Sequence, residues 1–144
     1  VSIAFWRRGD LSNKDTISHI IGQLGGGALA GGALSGAGPT LVNTSWAAFI
    51  AIEIGITFLL MASILFIIRK TDQWIPIAVV VGATVAILAF LFGGYTGASM
   101  NPARTFGPNL FSGDAVLIPI YWLTTILGAC LAVWIETLIP TKTE

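Results

Sequence analysis

The residues best suited to chemistry lie in one short polar stretch, residues 96–108, which separates two long apolar runs. Asn101 followed by Pro102 predicts the start of a helix, because Asn is a favoured N-cap and Pro fits the first helical position. Pro108 limits that helix to a short one, from about residue 102 to residue 111. Between membrane spans, a short helix exposes unpaired N–H groups that need surrounding protein or a wet cavity. The stretch is therefore predicted to form a pore or a binding site.

Two side chains of this stretch could act on a solute. Arg104 is permanently charged, and near the positive end of the helix its guanidinium would donate hydrogen bonds to a solute and repel cations. Its alternative use is an ion pair with a lipid headgroup or with Asp114. Asn101 could cap the helix through its carbonyl oxygen while its NH₂ group donates into a cavity. Capping alone is the alternative for Asn101.

Two acidic residues lie within apolar runs. A carboxylate inside a membrane is costly and is normally partnered. Glu53 could contact a permeant solute, or it could accept hydrogen bonds from backbone N–H groups of the loop before Asn101; we favour the second use. Glu136 lies near the end of its run, and its side chain is predicted to reach the interface.

An intramembrane enzyme is disfavoured, because His19, Glu53 and Cys130 are too scattered to predict a nucleophile and its base. Cys130 is predicted to be a packing residue. A coupled transporter would need several intramembrane acids, whereas only Glu53 is a good candidate. No catalytic residue, metal site or cofactor is predicted.

The composition predicts a polytopic, all-α membrane protein. The 144 residues are 55% hydrophobic and 10% charged, and their mean hydropathy is +0.86. This is too apolar for an ordinary soluble domain, and the apolar residues fall in long blocks. No basic face suggests a nucleic-acid partner. The chain starts without Met or a signal-peptide pattern, in the short apolar piece that begins at Val1, so we expect it to be part of a longer one.

Four apolar segments are long enough to cross a bilayer, since about 20 residues suffice. They are residues 17–34, 46–68, 74–92 and 115–139. The first is rich in glycine, and the pairs Gly22/Gly26 and Gly27/Gly31 are spaced to let helix backbones approach closely. Gln23, in the same segment, is predicted to form a hydrogen bond between helices.

The basic residues orient these spans. Alternation through the membrane places six of the seven on one side: Arg7, Arg8, Lys14, Arg69, Lys70 and Lys142. The positive-inside rule makes that side, and the C-terminus, cytoplasmic. The loop of residues 35–45, which has no Lys or Arg, falls on the other side. Arg104 is the single basic residue assigned there, which indicates a functional reason for it.

Three stretches resemble the aquaporins, or major intrinsic proteins. Residues 94–108, Gly-Tyr-Thr-Gly-Ala-Ser-Met-Asn-Pro-Ala-Arg-Thr-Phe-Gly-Pro, resemble the second Asn-Pro-Ala loop of that family. Residues 53–58 resemble the Glu-containing start of its fourth helix. Residues 1–6 resemble the segment that follows its first Asn-Pro-Ala.

The resemblance implies a helical bundle built as an inverted repeat with two half-helices, the two N-terminal spans being absent here. Residues 1–8 would end the first half-helix, and residues 9–36 would be the third spanning helix with its connector. Residues 45–139 would form the second repeat, including a half-helix segment at 93–111. Residues 140–144 would be a cytoplasmic tail.

By the same resemblance, the protein would be a passive water channel, a homotetramer in a lipid bilayer, expected to be the cell membrane. The two half-helices of the family meet at the midplane, and their Asn side chains face a single-file pore. Their positive ends repel protons and cations while the amides hold one water molecule at a time. Here Asn101, Pro102 and Ala103 would line the pore, with Glu53, Gly97 and Ser99 supporting its loop.

The resemblance also implies a selectivity filter made by Arg104, Ala89 and Ala98. Two small residues in it would widen the pore and admit small uncharged solutes besides water. A glycerol or small-solute facilitator is the alternative. Glycerol facilitators resemble one another in having Asp after the arginine and a basic residue four positions later, whereas this chain has Thr105 and Asn109. The pair Tyr121-Trp122 resembles the aromatic pair of water channels.

Overall fold

The computed structural model describes residues 1–138, and every regular element among them is helical. The helices are α1 (Ser2–Arg8), α2 (Asn13–Ala33), α3 (Trp46–Ile68), α4 (Trp74–Thr96), α5 (Pro102–Ser112) and α6 (Ile118–Leu138), with a 3-10 turn (Ala115–Leu117) leading into α6. The all-α membrane class predicted from composition is confirmed. The predicted end of the last span at residue 139, and the predicted tail 140–144 with Lys142, lie outside the described residues.

Three helical segments are long and apolar enough to cross a membrane: α3, α4 and residues 115–138. The first predicted span corresponds to α2. Its 21 residues are long enough to cross a bilayer, but it is not apolar enough to belong with these three segments. Its glycines and the polar residues of its first turns lower its hydropathy. A spanning role for α2 therefore stays a prediction.

Helix α3 has the bounds predicted for the second span, whereas α4 is longer than predicted. It continues through Gly93 and Gly94 to Thr96. Gly97 then ends it with a left-handed conformation, φ 73°, and donates its N–H to the Gly93 carbonyl at 2.9 Å. Residues 93–96 thus belong to α4 and not to the predicted segment 93–111. The short helix predicted at about 102–111 is α5, Pro102–Ser112. Membrane helices tolerate glycine, so Gly93 and Gly94 do not end α4.

The core forms where α3 packs on α6 and α1 packs on α6. Gly128 allows the first contact, because a Cβ there would lie 2.4 Å from the Ile54 carbonyl oxygen. Ala4 of α1 is fully buried in an apolar cluster with Met61, Leu65, Ala129, Ala132 and Val133. Among the helices of the described part, α4 contacts only α3.

Helices α2 and α5 approach backbone to backbone. A Cβ on Gly107 would lie 1.8 Å from the Gly27 carbonyl oxygen, and one on Gly31 would lie 2.4 Å from the Gly107 carbonyl. The close-packing prediction is therefore confirmed for Gly27 and Gly31. It is not met by Gly22 or Gly26, since a Cβ there has no described atom within 4 Å.

Candidate pore site around Asn101 and Arg104

The loop between α4 and α5 has an unusual backbone. Gly97, Ala98 and Met100 all have positive φ, at 73°, 42° and 53°. For non-glycine residues such conformations cost on the order of 1 kcal/mol or more each, so other contacts must hold them. Gly97 is required also by space, because a Cβ there would lie 2.8 Å from the Thr40 Cα.

Glu53 supplies those contacts. Its side chain is fully buried in α3, and its Oε1 accepts from the Thr96 hydroxyl at 2.6 Å and from the Ser99 N–H at 3.0 Å. Its Oε2 accepts from the Met100 N–H at 3.3 Å. Backbone groups that would be costly to leave unpaired inside a membrane thus bond to the carboxyl oxygens of Glu53. This is the geometry favoured for Glu53 from the sequence.

Helix α6 fixes the loop on both sides. The Tyr121 hydroxyl donates to the Thr96 carbonyl at 2.5 Å, and the Trp122 indole donates to the Pro102 carbonyl at 3.1 Å. Ser99 adds a bond within the loop, from its hydroxyl to the Asn101 carbonyl at 3.0 Å. The start of α5 is therefore held from α3 and from α6.

Asn101 is the N-cap of α5, with its Oδ1 accepting from the Ala103 N–H at 3.0 Å. Its NH₂ group makes no hydrogen bond within residues 1–138. Asn101 and Pro102 line a cavity of about 170 Å³ whose other walls include Ser2 and Ala4 of α1. The side chain can therefore cap the helix and present two donors to the cavity together.

Arg104 is exposed and is held by backbone carbonyls. Its Nη1 donates to the Gly38 carbonyl at 3.0 Å and its Nη2 to the Gly97 carbonyl at 3.5 Å. The alternative of an ion pair with Asp114 is wrong, since the Asp114 carboxylate accepts from the Ser112 hydroxyl at 2.7 Å and no ion pair joins it to Arg104. The remaining N–H groups of the guanidinium are available to a solute.

Sequence reasoning missed the network that positions the loop of residues 35–45. The Thr40 N–H donates to the Asn109 Oδ1 at 2.9 Å, and the Asn109 NH₂ donates to the Thr40 carbonyl at 2.8 Å. The Thr40 hydroxyl also donates to the Thr105 hydroxyl at 3.0 Å, which in turn lies 2.6 Å from the Ser99 hydroxyl. Polar residues spaced by four on α5, at 101, 105 and 109, were the available signal. This network holds the loop so that the Gly38 carbonyl lies within hydrogen-bonding distance of Arg104.

The predicted filter residues are not all brought together. Ala98 is 3% exposed, and its side chain packs in an apolar cluster with Ile56, Leu60 and Met100. Ala89 lies on the exposed surface of α4. No described contact joins Ala89 to Arg104, so a filter made by Arg104, Ala89 and Ala98 stays a prediction.

Comparison with known proteins gives the family. Residues 1–136 match the family described as Major intrinsic protein. The chain belongs to the major intrinsic protein family. The predicted membership of that family is thereby confirmed, and the family together with the apolar helices makes it an integral membrane protein.

Relatives within the family include archaeal and animal proteins. The chain is 34% identical over 155 residues to Aquaporin AqpM of Methanothermobacter thermautotrophicus, an alignment that covers 92% of this chain and 62% of that relative. It is 42% identical over 101 residues to Aquaporin-4 of Bos taurus and 41% identical to Aquaporin-4 of Homo sapiens, each covering 67% of this chain and 31% of the relative. The chain thus spans less than two thirds of the length of these relatives.

Proposed function

We propose that this protein forms a passive transmembrane water channel that excludes ions and protons. The proposal rests mainly on the hydrogen bonds made by two side chains at the start of α5. Asn101 caps the helix yet keeps its NH₂ free beside a cavity, and Arg104 is held by carbonyls rather than by a carboxylate. The names of its relatives, which include Aquaporin AqpM and Aquaporin-4, support the same function.

Each part of the site has a task in this mechanism. The Asn101 NH₂ donates to the oxygen of a passing water molecule and so orients it. The Arg104 guanidinium and the positive end of α5 together raise the barrier for cations and protons. Glu53 keeps the loop backbone bonded, so that the helix end can stay in the membrane. Water moves down its gradient without covalent chemistry, so an enzymatic role is not proposed.

Small uncharged solutes are a second candidate, because Ala89 and Ala98 are small. Thr105 argues against a glycerol facilitator, since such proteins resemble one another in having Asp at this position. The Thr105 hydroxyl is fully buried and bonds with Thr40 and Ser99. An acidic residue at that position would place a charge within this network. Water is therefore favoured as the main permeant, and glycerol permeability measures the alternative.

The proposed assembly is a homotetramer in the cell membrane with the C-terminus in the cytoplasm. Support for the orientation comes from the basic residues, since Arg8 and Arg69 contact the same carboxylate, that of Glu136. Charges assigned to the cytoplasmic side thus share one end of the bundle. The apolar surface of α4, which contacts only α3 among the described helices, is available for lipid or protein.

Reconstitution of the full-length natural protein in liposomes tests the function. Stopped-flow light scattering should show faster water efflux than from empty liposomes, with a low activation energy and no added proton leak. Glycerol uptake measured on the same vesicles separates the two candidate permeants. Water efflux no faster than that of empty vesicles, from correctly folded protein, would overturn the proposal.

A further inference from the structure

A cluster of ion pairs joins the C-terminal ends of α1, α3 and α6. Glu136 of α6 lies between two arginines, with Oε2 3.1 Å from the Arg8 Nε and Oε1 2.7 Å from the Arg69 Nη2. Its side chain is 8% exposed, so it is enclosed by protein, and its predicted position at the membrane interface stays a prediction. The shorter contact lacks hydrogen-bond geometry, and the attraction there is between charges.

Helix α1 depends on such contacts for its position. Its seven described residues contact other helices at both ends. At its first residue, the Ser2 hydroxyl accepts from the Gln23 side-chain amide of α2 at 2.9 Å. This is the hydrogen bond between helices that was predicted for Gln23. Its last residue, Arg8, binds Glu136 and also lies 3.2 Å from Asp10. Among ion pairs of the described residues, only that of Arg8 ties α1 to α6.

The same short helix forms one wall of the cavity beside Asn101. Ser2 and Ala4 line this cavity of about 170 Å³ on one side, and Asn101 and Pro102 line it on the other. Because interiors are close-packed, α1 cannot move at its Arg8 end without changing its packing around Ala4 and the cavity wall that it forms. A shift of α1 would change the width of the cavity beside the Asn101 amide.

We propose that Arg8 and Glu136 are positioning residues that set the width of the cavity beside Asn101 by anchoring α1 to α6. The inference rests on the proposed channel function and deepens it, because it assigns part of the solute selectivity to an ion pair at the far end of α1. Arg69 binds the same carboxylate from α3, so it keeps Glu136 paired when the α1 contact is removed.

The test compares Arg8→Gln with three matched variants of the full-length protein in liposomes. Arg7→Gln removes the same charge from the neighbouring exposed residue, which makes no ion pair in residues 1–138. Arg69→Gln removes a partner of Glu136 but leaves the α1 contact, and Arg8→Lys keeps the charge. Because pore width sets solute selectivity, Arg8→Gln should change the ratio of glycerol to water permeability by about threefold or more, and the other three by less.

The outcomes separate this inference from the proposed function. If the unaltered protein conducts water but Arg8→Gln and Arg7→Gln give the same ratio, the positioning role is wrong. If the unaltered protein adds no water permeability, the channel function itself fails. Should Arg8→Gln not fold, Glu136→Asp replaces it: the charge is retained but the carboxylate is drawn back by one carbon, and an unchanged ratio would equally overturn the positioning role.

Discussion

The Asn109 side chain pairs with both backbone polar groups of Thr40. The Asn109 side chain accepts from the Thr40 N–H at 2.9 Å and donates to the Thr40 carbonyl at 2.8 Å, although 69 residues separate them. Both residues are fully buried. The loop of residues 35–45 is thereby fixed to α5 by backbone groups, whatever its other side chains are.

Asn109→Ala should therefore destabilise the protein strongly. The substitution leaves a buried N–H and a buried carbonyl unpaired, which costs about 2–5 kcal/mol for the two groups. Thermal unfolding in detergent measures the loss. Asn43→Ala is the control in the same loop, because the Asn43 side chain is exposed and makes, among the described residues, one long bond of 3.4 Å to the Gly94 carbonyl. Equal losses for the two variants would contradict the assigned role of Asn109.

Asn101→Asp should reduce water flux without loss of the helix cap. Asp caps as well as Asn, but it has no NH₂ donors for water and adds a negative charge beside the cavity. We expect lower water permeability or a new cation leak, with a nearly unchanged unfolding temperature. Both permeabilities are measured in liposomes. Normal water flux together with normal ion exclusion would mean that Asn101 acts as a cap alone.

Arg104→Val should weaken the exclusion of protons and cations and leave the fold largely intact. Within residues 1–138 the guanidinium bonds to the carbonyls of Gly38 and Gly97 and to no carboxylate, so its removal leaves no described acid unpaired. Arg104→Lys is the matched variant, since it keeps the charge and loses the planar fork. Proton flux measured with a pH-sensitive dye should rise in the Val variant and much less in the Lys variant. A proton leak that is the same in all three proteins would contradict electrostatic exclusion by Arg104.

Ala89→His should lower the uptake of small solutes by more than it lowers water flux, if Ala89 lies in the filter as the family resemblance implies. A ring with polar nitrogens would replace a methyl group and narrow the pore. Glycerol and water permeabilities of the same vesicles give the comparison. Equal changes for both permeants, or no change, would place Ala89 outside the pore.

Gly31→Ala should separate α2 from α5. Its Cβ would lie 2.4 Å from the Gly107 carbonyl, and such overpacking costs about 1–3 kcal/mol or more. Gly22→Ala, on the same helix, meets no described atom within 4 Å and should be neutral or mildly stabilising. Unfolding temperatures of the two variants provide the measurement. A stability loss of the same size in both would argue against the close contact at Gly31.

Local signals explain what the sequence could predict. Ser45 caps α3 with an oxygen that accepts from the Ala48 N–H, and an uninterrupted apolar run carries the helix to Ile68, so both ends could be read directly. The Asn101 cap followed by Pro102 is equally local. Glu53 could be paired with the loop because a membrane carboxylate needs donors and the irregular loop offers unpaired ones.

Contacts distant in sequence explain what was missed. Glu136 stands near the end of its apolar run, which predicts a position at the interface but no partner. Its two partners, Arg8 and Arg69, come from other helices. Asn109 has no local feature that selects Thr40 as its partner. The extension of α4 past Gly93 depends on the membrane environment, which weakens the usual effect of glycine on helices.

The partners of Glu53 have a consequence for biosynthesis. Thr96, Ser99 and Met100 follow it by 43, 46 and 47 residues, so the ribosome completes α3 well before it makes any of them. Until then, an acidic group in a lone spanning helix is costly, up to about 2.5–3.5 kcal/mol for one at the helix centre on insertion scales. The nascent α3 therefore reaches its stable place in the bilayer only together with α4 and the loop that follows it.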